Sequence, residues 1–131
     1  MRPNGTVLVV EDEAEVNELI GAYAQIAGFS YLCALDGTSA IEQARAHRLA
    51  LVLLDVMLPD LDGFEVCRRL KDEQATRAVP VVILTALDRD EYRRRAFQCG
   101  AVAYLTKPFD PEHLLKTIRG NALGGNGQEN A

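Results

Sequence analysis

Leu51-Val52-Leu53-Leu54-Asp55-Val56-Met57-Leu58-Pro59-Asp60-Leu61-Asp62-Gly63 passes from an unbroken apolar run to an acid, then to a proline-bearing loop and a glycine. A short run that is apolar at every residue, without alternation, is the pattern of a strand covered on both faces, as in a parallel sheet. Asp55 stands where that strand ends. Three further runs have the same form: residues 7–10 lead into Glu11-Asp12, residues 81–84 into Thr85, and residues 103–106 into Lys107-Pro108. Parallel strands bring all their C-terminal ends to one edge, which is where open α/β sheets place their ligands. Three carboxylates, a hydroxyl and an ammonium would converge there. That is the chemistry of a metal-assisted phosphoryl acceptor.

Helical periodicity fills the intervals between the runs. Residues 14–27 carry Val16, Leu19, Ile20, Tyr23, Ala24 and Ala27 at i, i+3, i+4, i+7 spacing, and Gly28 stops the helix. A weaker, more polar strand spans 30–35. Asp36-Gly37 turns into a helix over 38–48 that packs Ala40, Ile41 and Ala44. The run 50–54 is the central strand, followed by a loop over 56–62 and a helix over 63–73 on Phe64, Val66, Cys67 and Leu70. Val79-Pro80 introduces the fourth strand, at a position where a missing N–H is tolerated. A helix over 88–99 carries Arg89, Arg93, Arg94 and Arg95 and ends at Gly100, before a fifth strand over 102–105. Asp110 is placed as an N-cap with Pro111 at the first helical position, and the last helix packs Leu114, Leu115 and Ile118. Five such units make one α/β domain over 6–119 with a doubly wound parallel sheet. Residues 120–131, rich in glycine and asparagine, read as a flexible tail or the start of a linker. Gly124-Gly125-Asn126-Gly127 has no strand before it and is not a phosphate loop.

The chain has 131 residues, enough for one domain with a real core, and a net charge of −5. That charge argues against direct nucleic-acid binding, which wants a basic face. There is no apolar stretch near the ~18 residues of a membrane span and no secretory leader pattern, so the expectation is cytoplasmic. Cys33, Cys67 and Cys99 lie inside apolar patterns at no metal-ligand spacing and read as buried reduced thiols. His47 and His113 fall on exposed helical positions without a second ligand. The arginine cluster reads as a solvated face or a partner contact.

Two like charges ~4 Å apart at an effective dielectric of ~20 repel by about 4 kcal/mol, so Glu11, Asp12 and Asp55 at one edge need a proton or a cation. Oxygen-only ligands suit Mg²⁺, with Mn²⁺ tolerated. Any one of these acids would serve equally well as a helix cap. Capping does not explain why the acids, Thr85 and Lys107 all follow strands. Asp55 ends the most buried strand and is the candidate nucleophile, since a carboxylate can attack a phosphoryl group to give an aspartyl phosphate. Lys107 supplies a point charge for a phosphoryl oxygen, oriented by a fixed bond to Pro108 for which cis is an accessible form. Thr85 could hydrogen-bond another oxygen, although in a β-rich run it also reads simply as a strand former.

The segments Val7-Leu8-Val9-Val10-Glu11-Asp12-Glu13, residues 55–63, Leu84-Thr85-Ala86, and residues 100–109 closely resemble the receiver domain of bacterial two-component response regulators. Four spaced motifs in the right order carry the resemblance, over residues 6–119. It implies a flavodoxin-like sheet ordered 2-1-3-4-5 and flanked by five helices. It also implies that Asp55 is the phosphoacceptor and that Asp12, Asp55 and the backbone carbonyl of Met57 ligate Mg²⁺ directly. Glu11 would hold the metal through water, at a position where family members often have Asp. Lys107 and Thr85 would contact the phosphoryl group, Thr85 and Tyr104 would form the switch pair, and Ala86 would leave room for the donor. Met57 and Leu87, beside the access to the phosphoryl group, sit where the family tunes the lifetime of the phosphorylated state, and neither apolar side chain could position a hydrolytic water.

By the same resemblance the phosphodonor is a sensor histidine kinase or a histidine phosphotransfer protein, docking on the first-helix surface that includes Ala14, Glu15, Asn17 and Glu18. The 88–119 surface would meet a downstream protein or a fused output domain, or a second copy after phosphorylation. The domain would not be an enzyme with turnover: it would catalyse only its own Mg²⁺-dependent phosphorylation and dephosphorylation. A haloacid-dehalogenase-like phosphatase also uses a strand-end Asp, but that resemblance calls for an acid at the position of Met57. A binding module that no longer takes phosphate would be expected to have lost one of the acids, the Thr or the Lys, and all are present.

Overall fold

Ten elements alternate along residues 4–123, the part of the chain that this computed structural model describes. β1 (Thr6–Val10) leads into α1 (Ala14–Ile26), β2 (Ser30–Ala34) into α2 (Gly37–Ala46), and β3 (Leu51–Leu54) into α3 (Gly63–Asp72). β4 (Val81–Thr85) leads into α4 (Asp90–Gln98), and β5 (Ala103–Thr106) into α5 (Pro111–Asn121). The strands pair in parallel in the order β2-β1-β3-β4-β5.

Because side chains alternate across a strand, the apolar runs feed two cores. Val7, Val9, Leu51, Leu53, Val82, Leu84 and Leu105 pack with Ile20 and Ala24 of α1 and Leu114 and Ile118 of α5. Leu8, Val10, Val52, Leu54, Val81, Ile83 and Tyr104 pack with residues of α2, α3 and α4. Every residue of β3 and β4 is buried, as runs without alternation require. β2 lies at the edge of the sheet, which explains its weaker apolar character.

Three expectations change. The buried stripe of α1 is Asn17, Ile20, Gly21 and Ala24, whereas Leu19 is 50% exposed. Asn17 takes the core position because its Nδ2 donates to the carbonyls of Val9 (3.0 Å), Glu11 (3.1 Å) and Ala34 (3.1 Å). Gly21 is there because a Cβ would stand 2.4 Å from the Tyr31 ring. Asn17 is therefore not part of an exposed docking face. Among the cysteines, all free, Cys67 is buried, Cys99 half-buried and Cys33 exposed on the edge strand, so the expectation of three buried thiols holds for one. Burial pushes the Cys67 thiol up to about 12, which leaves it unreactive.

The packed domain also runs past Gly120. α5 ends at Asn121, Ala122 is fully buried, and the Leu123 N–H donates to the Ala50 carbonyl at 2.8 Å. Residues 124–131, the remainder of the expected tail, lie outside the described residues together with the glycine cluster at 124–127. Gly28 (φ 102°) and Gly100 (φ 101°) end α1 and α4 as expected, in the left-handed region that favours glycine. Asp110 occupies the N-cap position of α5, but its side chain makes no capping bond. Among the described residues, no helix is long and apolar enough to cross a membrane.

Candidate functional site

Sheet register sets the site. Val10 pairs with Leu54, so Glu11 and Asp55 emerge side by side, and their N–H groups extend the ladder to Ala34 O (3.1 Å) and Val10 O (3.0 Å). Thr85 pairs with Thr106, and the Lys107 N–H donates to Thr85 O at 2.8 Å. Continued past the strand ends, the alternation that sends Val9, Leu53 and Leu105 to the α1/α5 side sends Glu11, Asp55 and Lys107 there too. Tyr104 belongs to the opposite side, with α4, whereas the Thr85 hydroxyl at the end of β4 reaches Asp55.

Lys107 bridges the two acids. Its Nζ donates to Asp55 Oδ2 at 2.8 Å and to Glu11 Oε1. Asp55 is 7% exposed and Glu11 1%. The other oxygen of each acid is held by the main chain, Asp55 Oδ1 by the Met57 N–H (3.0 Å) and Glu11 Oε2 by the Glu13 N–H (2.9 Å). Burial would raise the Asp55 carboxyl, but the hydrogen bonds from Lys107 and Met57 outweigh it and hold Asp55 below the usual carboxylate range. For Glu11 burial prevails over Lys107, and its carboxyl is raised. Burial would lower Lys107, yet bonds to Asp55 and Glu11 raise its pKa. The ammonium thus supplies the counter-charge that the charge arithmetic demanded.

The third acid stands apart. Asp12 is exposed at the rim, and among the described residues no group of three or more His, Cys, Asp or Glu side chains is close enough to hold a metal. The donor chemistry still fits a hard cation. Glu11, Asp12, Asp55 and the Met57 carbonyl offer only oxygen, and Mg²⁺ needs few protein ligands.

Thr85 is fully buried at the end of β4, and the Leu87 N–H approaches its Oγ1 at 3.5 Å. The Tyr104 ring is turned inward, 8% exposed, and its hydroxyl donates to the Leu87 carbonyl at 2.5 Å. Arg93 lies over that ring at 4.9 Å, and Arg95, itself exposed, over Phe64 at 4.2 Å, so two of the clustered arginines stack on aromatic rings. Ala86 and Met57 are exposed beside the acceptor, and Leu87 is half-buried. The Lys107-Pro108 bond is cis. His47 and His113 are exposed, as expected.

A family model of the response regulator receiver domain matches residues 7–119. The chain belongs to that family. Receiver domains are signalling domains of response regulators, not enzymes of the usual kind. This receiver domain is 42% identical over 113 residues to the phosphate regulon transcriptional regulatory protein PhoB of Escherichia coli, covering 86% of this chain and 49% of PhoB. It is likewise 42% identical over 114 residues to the response regulator PleD of Caulobacter vibrioides, covering 86% of this chain and 25% of PleD. It thus spans half or less of these relatives.

Among solved structures, a putative response regulator from Chloroflexus aurantiacus superposes with a TM-score of 0.85 at 30% identity, covering 91% of this chain and 97% of that one. The receiver domain of the sensor histidine kinase PA1611 from Pseudomonas aeruginosa has a magnesium ion coordinated in its active site cleft. It matches with a TM-score of 0.81 at 30% identity, over 89% of this chain and 96% of that one.

Sequence reasoning missed two residues at this edge. Asn17 carries no sequence signal beyond a polar residue on an amphipathic helix. Asp60 accepts hydrogen bonds from Gly37 and Thr38, a pairing that no local pattern announces.

Proposed function

We propose that this receiver domain accepts a phosphoryl group on Asp55 from the phosphohistidine of a histidine kinase or phosphotransfer protein, and that the Thr85–Tyr104 region reports the change. The observation that carries the proposal is the buried Asp55 carboxylate, kept ionised by Lys107 and the Met57 N–H at the C-terminal edge of the sheet. An Asp55 oxygen attacks phosphorus, and the P–N bond to the donor breaks with its electron pair returning to the imidazole. Lys107 remains beside the acceptor to balance charge on a phosphoryl oxygen, and Ala86 leaves the approach open. Asp12, Asp55 and the Met57 carbonyl, with Glu11 through water, would hold Mg²⁺ or Mn²⁺. When bound, that cation would offset charge on the transferring group.

The switch is local electrostatics acting on a loop. Thr85 Oγ1 has a long contact from the Leu87 N–H and lies beside Asp55, whose carboxyl it helps to lower, so its hydroxyl is placed to meet new phosphoryl oxygens. Leu87 also binds Tyr104, so the two switch residues meet on one loop. Shifting such a region from 1:99 to 99:1 takes about 5.5 kcal/mol of differential stabilisation. The output face spans 88–119, where a cavity of about 200 Å³ is lined by Arg93, Tyr104, Pro108, Phe109, Asp110 and His113. That volume suits a partner's side chain better than a small-molecule ligand. A downstream protein, a fused output domain or a second copy of the chain would dock there. On the donor side, Glu15, Glu18 and the exposed Leu19 (50%) and Ile26 (60%) of α1 offer a mixed acidic and apolar face to the kinase.

Acetyl phosphate with Mg²⁺ tests the assignment. Acid-labile label should appear on the wild type and be absent from Asp55→Asn. Equal labelling of that variant would sink it.

A further inference from the structure

The loop between β3 and α3 carries Asp55 and Met57, and its centre is fastened to a helix that takes no part in the acid cluster. Asp60 Oδ1 accepts from the Gly37 N–H at 2.7 Å and from the Leu61 N–H at 2.7 Å. Asp60 Oδ2 accepts from the Thr38 N–H at 2.9 Å and the Thr38 hydroxyl at 2.6 Å. Both oxygens are thus fully engaged at the first turn of α2. The Thr38 hydroxyl, with the Gly37, Thr38 and Leu61 amides, holds the Asp60 carboxyl well below the usual carboxylate range.

A cap for α2 already exists. Asp36 is its N-cap and accepts from the Ser39 N–H at 2.7 Å, leaving the first two helical amides to Asp60. Nor does the loop lack other anchors. At its far end Asp62 accepts from the Glu65 N–H at 2.9 Å, and the Gly63 N–H returns to Val56 O at 2.8 Å. At its near end Met57 closes onto Asp55. Between Met57 and Asp62, Leu58 and Leu61 pack against the core, and Asp60 is the side chain that hydrogen-bonds the loop to another element. Charge-assisted bonds of this kind are about twice as strong as neutral ones, and they are directional.

We infer that Asp60 is a positioning residue for the acceptor site, fastening the centre of the β3–α3 loop to α2 and so holding the Met57 main chain against Asp55. The inference rests on Asp55 being the phosphoacceptor. Met57 acts through its N–H, which orients the acceptor carboxylate from within the same loop. A carboxylate that is displaced by a fraction of an ångström loses its in-line approach to phosphorus, and small misplacements are costly in such transfers.

The test compares Asp60→Ala, Asp60→Asn and Thr38→Val with the wild type, in the whole chain. Amide hydrogen exchange at Met57 and at Thr38 is followed alongside the rate of labelling by acetyl phosphate with Mg²⁺. Asp60→Ala should speed exchange at both amides and slow labelling roughly 10-fold at saturating acetyl phosphate, with little change in KM. Asp60→Asn, which keeps one acceptor oxygen, should fall between. Thr38→Val removes only the hydroxyl contact and is a milder lesion, should Asp60→Ala fail to fold; it should move both readouts in the same direction. If the variants lower urea stability and speed exchange at Thr38 alone, with Met57 and labelling unchanged, Asp60 merely caps α2 and the inference is overturned. A wild type that takes no label would instead count against Asp55 as acceptor, while exchange at Met57 would still decide whether Asp60 holds the loop.

Discussion

The loops after β3 and β4 leave the same edge of the sheet, yet they are held very differently. After β3 the chain is pinned at Met57, Asp60, Asp62 and Gly63, each through a bond of 3.0 Å or less. Gly63 packs so closely that a Cβ would stand 2.4 Å from Val56 Cα and 2.5 Å from Asp55 O. After β4 the loop has a 3.5 Å contact from Leu87 N–H to Thr85 and a single short bond, from the Tyr104 hydroxyl to Leu87 O. Its anchor is an aromatic side chain on a neighbouring strand. On the proposed reading this difference is functional: the reactive carboxylate sits on the fixed loop, and the reporter sits on the loop that one side chain holds.

The largest way to break this contrast is to remove the charge that joins the strand ends. Lys107→Met leaves Glu11 and Asp55 buried without a counter-ion, a lesion that costs about 3 kcal/mol in urea unfolding at pH 7. The pH dependence has a definite sign. In the wild type, Asp55 is lowered, so its contribution is present above its unfolded value and is lost as pH falls through the folded one. Glu11 is raised, so its contribution is present below its unfolded value and is lost as pH rises through the folded one. The two oppose each other. In Lys107→Met both carboxyls are raised by burial, so the deficit should shrink from pH 7 toward pH 4. A deficit that stays constant over that range would mean that Lys107 stabilises by packing alone.

Gly63→Ala comes next. The methyl meets backbone on both sides and cannot be relieved by a side-chain rotation, so a loss of about 2 kcal/mol is expected, with slower labelling of Asp55. Unchanged stability would show that the loop after β3 is less fixed than its bonds imply. Tyr104→Phe should have the smallest effect on stability, about 1 kcal/mol, for one hydrogen bond. Its signature would be local: faster amide exchange across residues 86–89 with exchange at Met57 unaltered. Equal acceleration in both loops would erase the distinction.

Much of the fold is legible in the sequence because strand burial is written in the side chains themselves. Residues 51–54 and 81–85 lack alternation since both faces are covered, whereas β2 is more polar since it forms the edge. The same logic misled at α1. Leu19 has the hydrophobicity of a core residue and Asn17 does not, but the carbonyls of Val9, Glu11 and Ala34 at the strand ends need donors, and Asn17 can supply them. Cys33 failed for a related reason: an apolar-looking residue on an edge strand faces solvent.

By itself, then, the sequence determined the alternation of strands and helices, the residue types at each strand end, and the parity that places Glu11, Asp55 and Lys107 on one side and Tyr104 on the other. Those properties are local, set by periodicity and by the residue at which each apolar run stops. Only the tertiary structure decided that Lys107 bridges Glu11 and Asp55 while Asp12 stays at the rim, that Tyr104 reaches Leu87, and that Asp60 grips α2. Each of these joins residues on different elements, and such a contact depends on sheet order and register, which no stretch of neighbouring residues encodes.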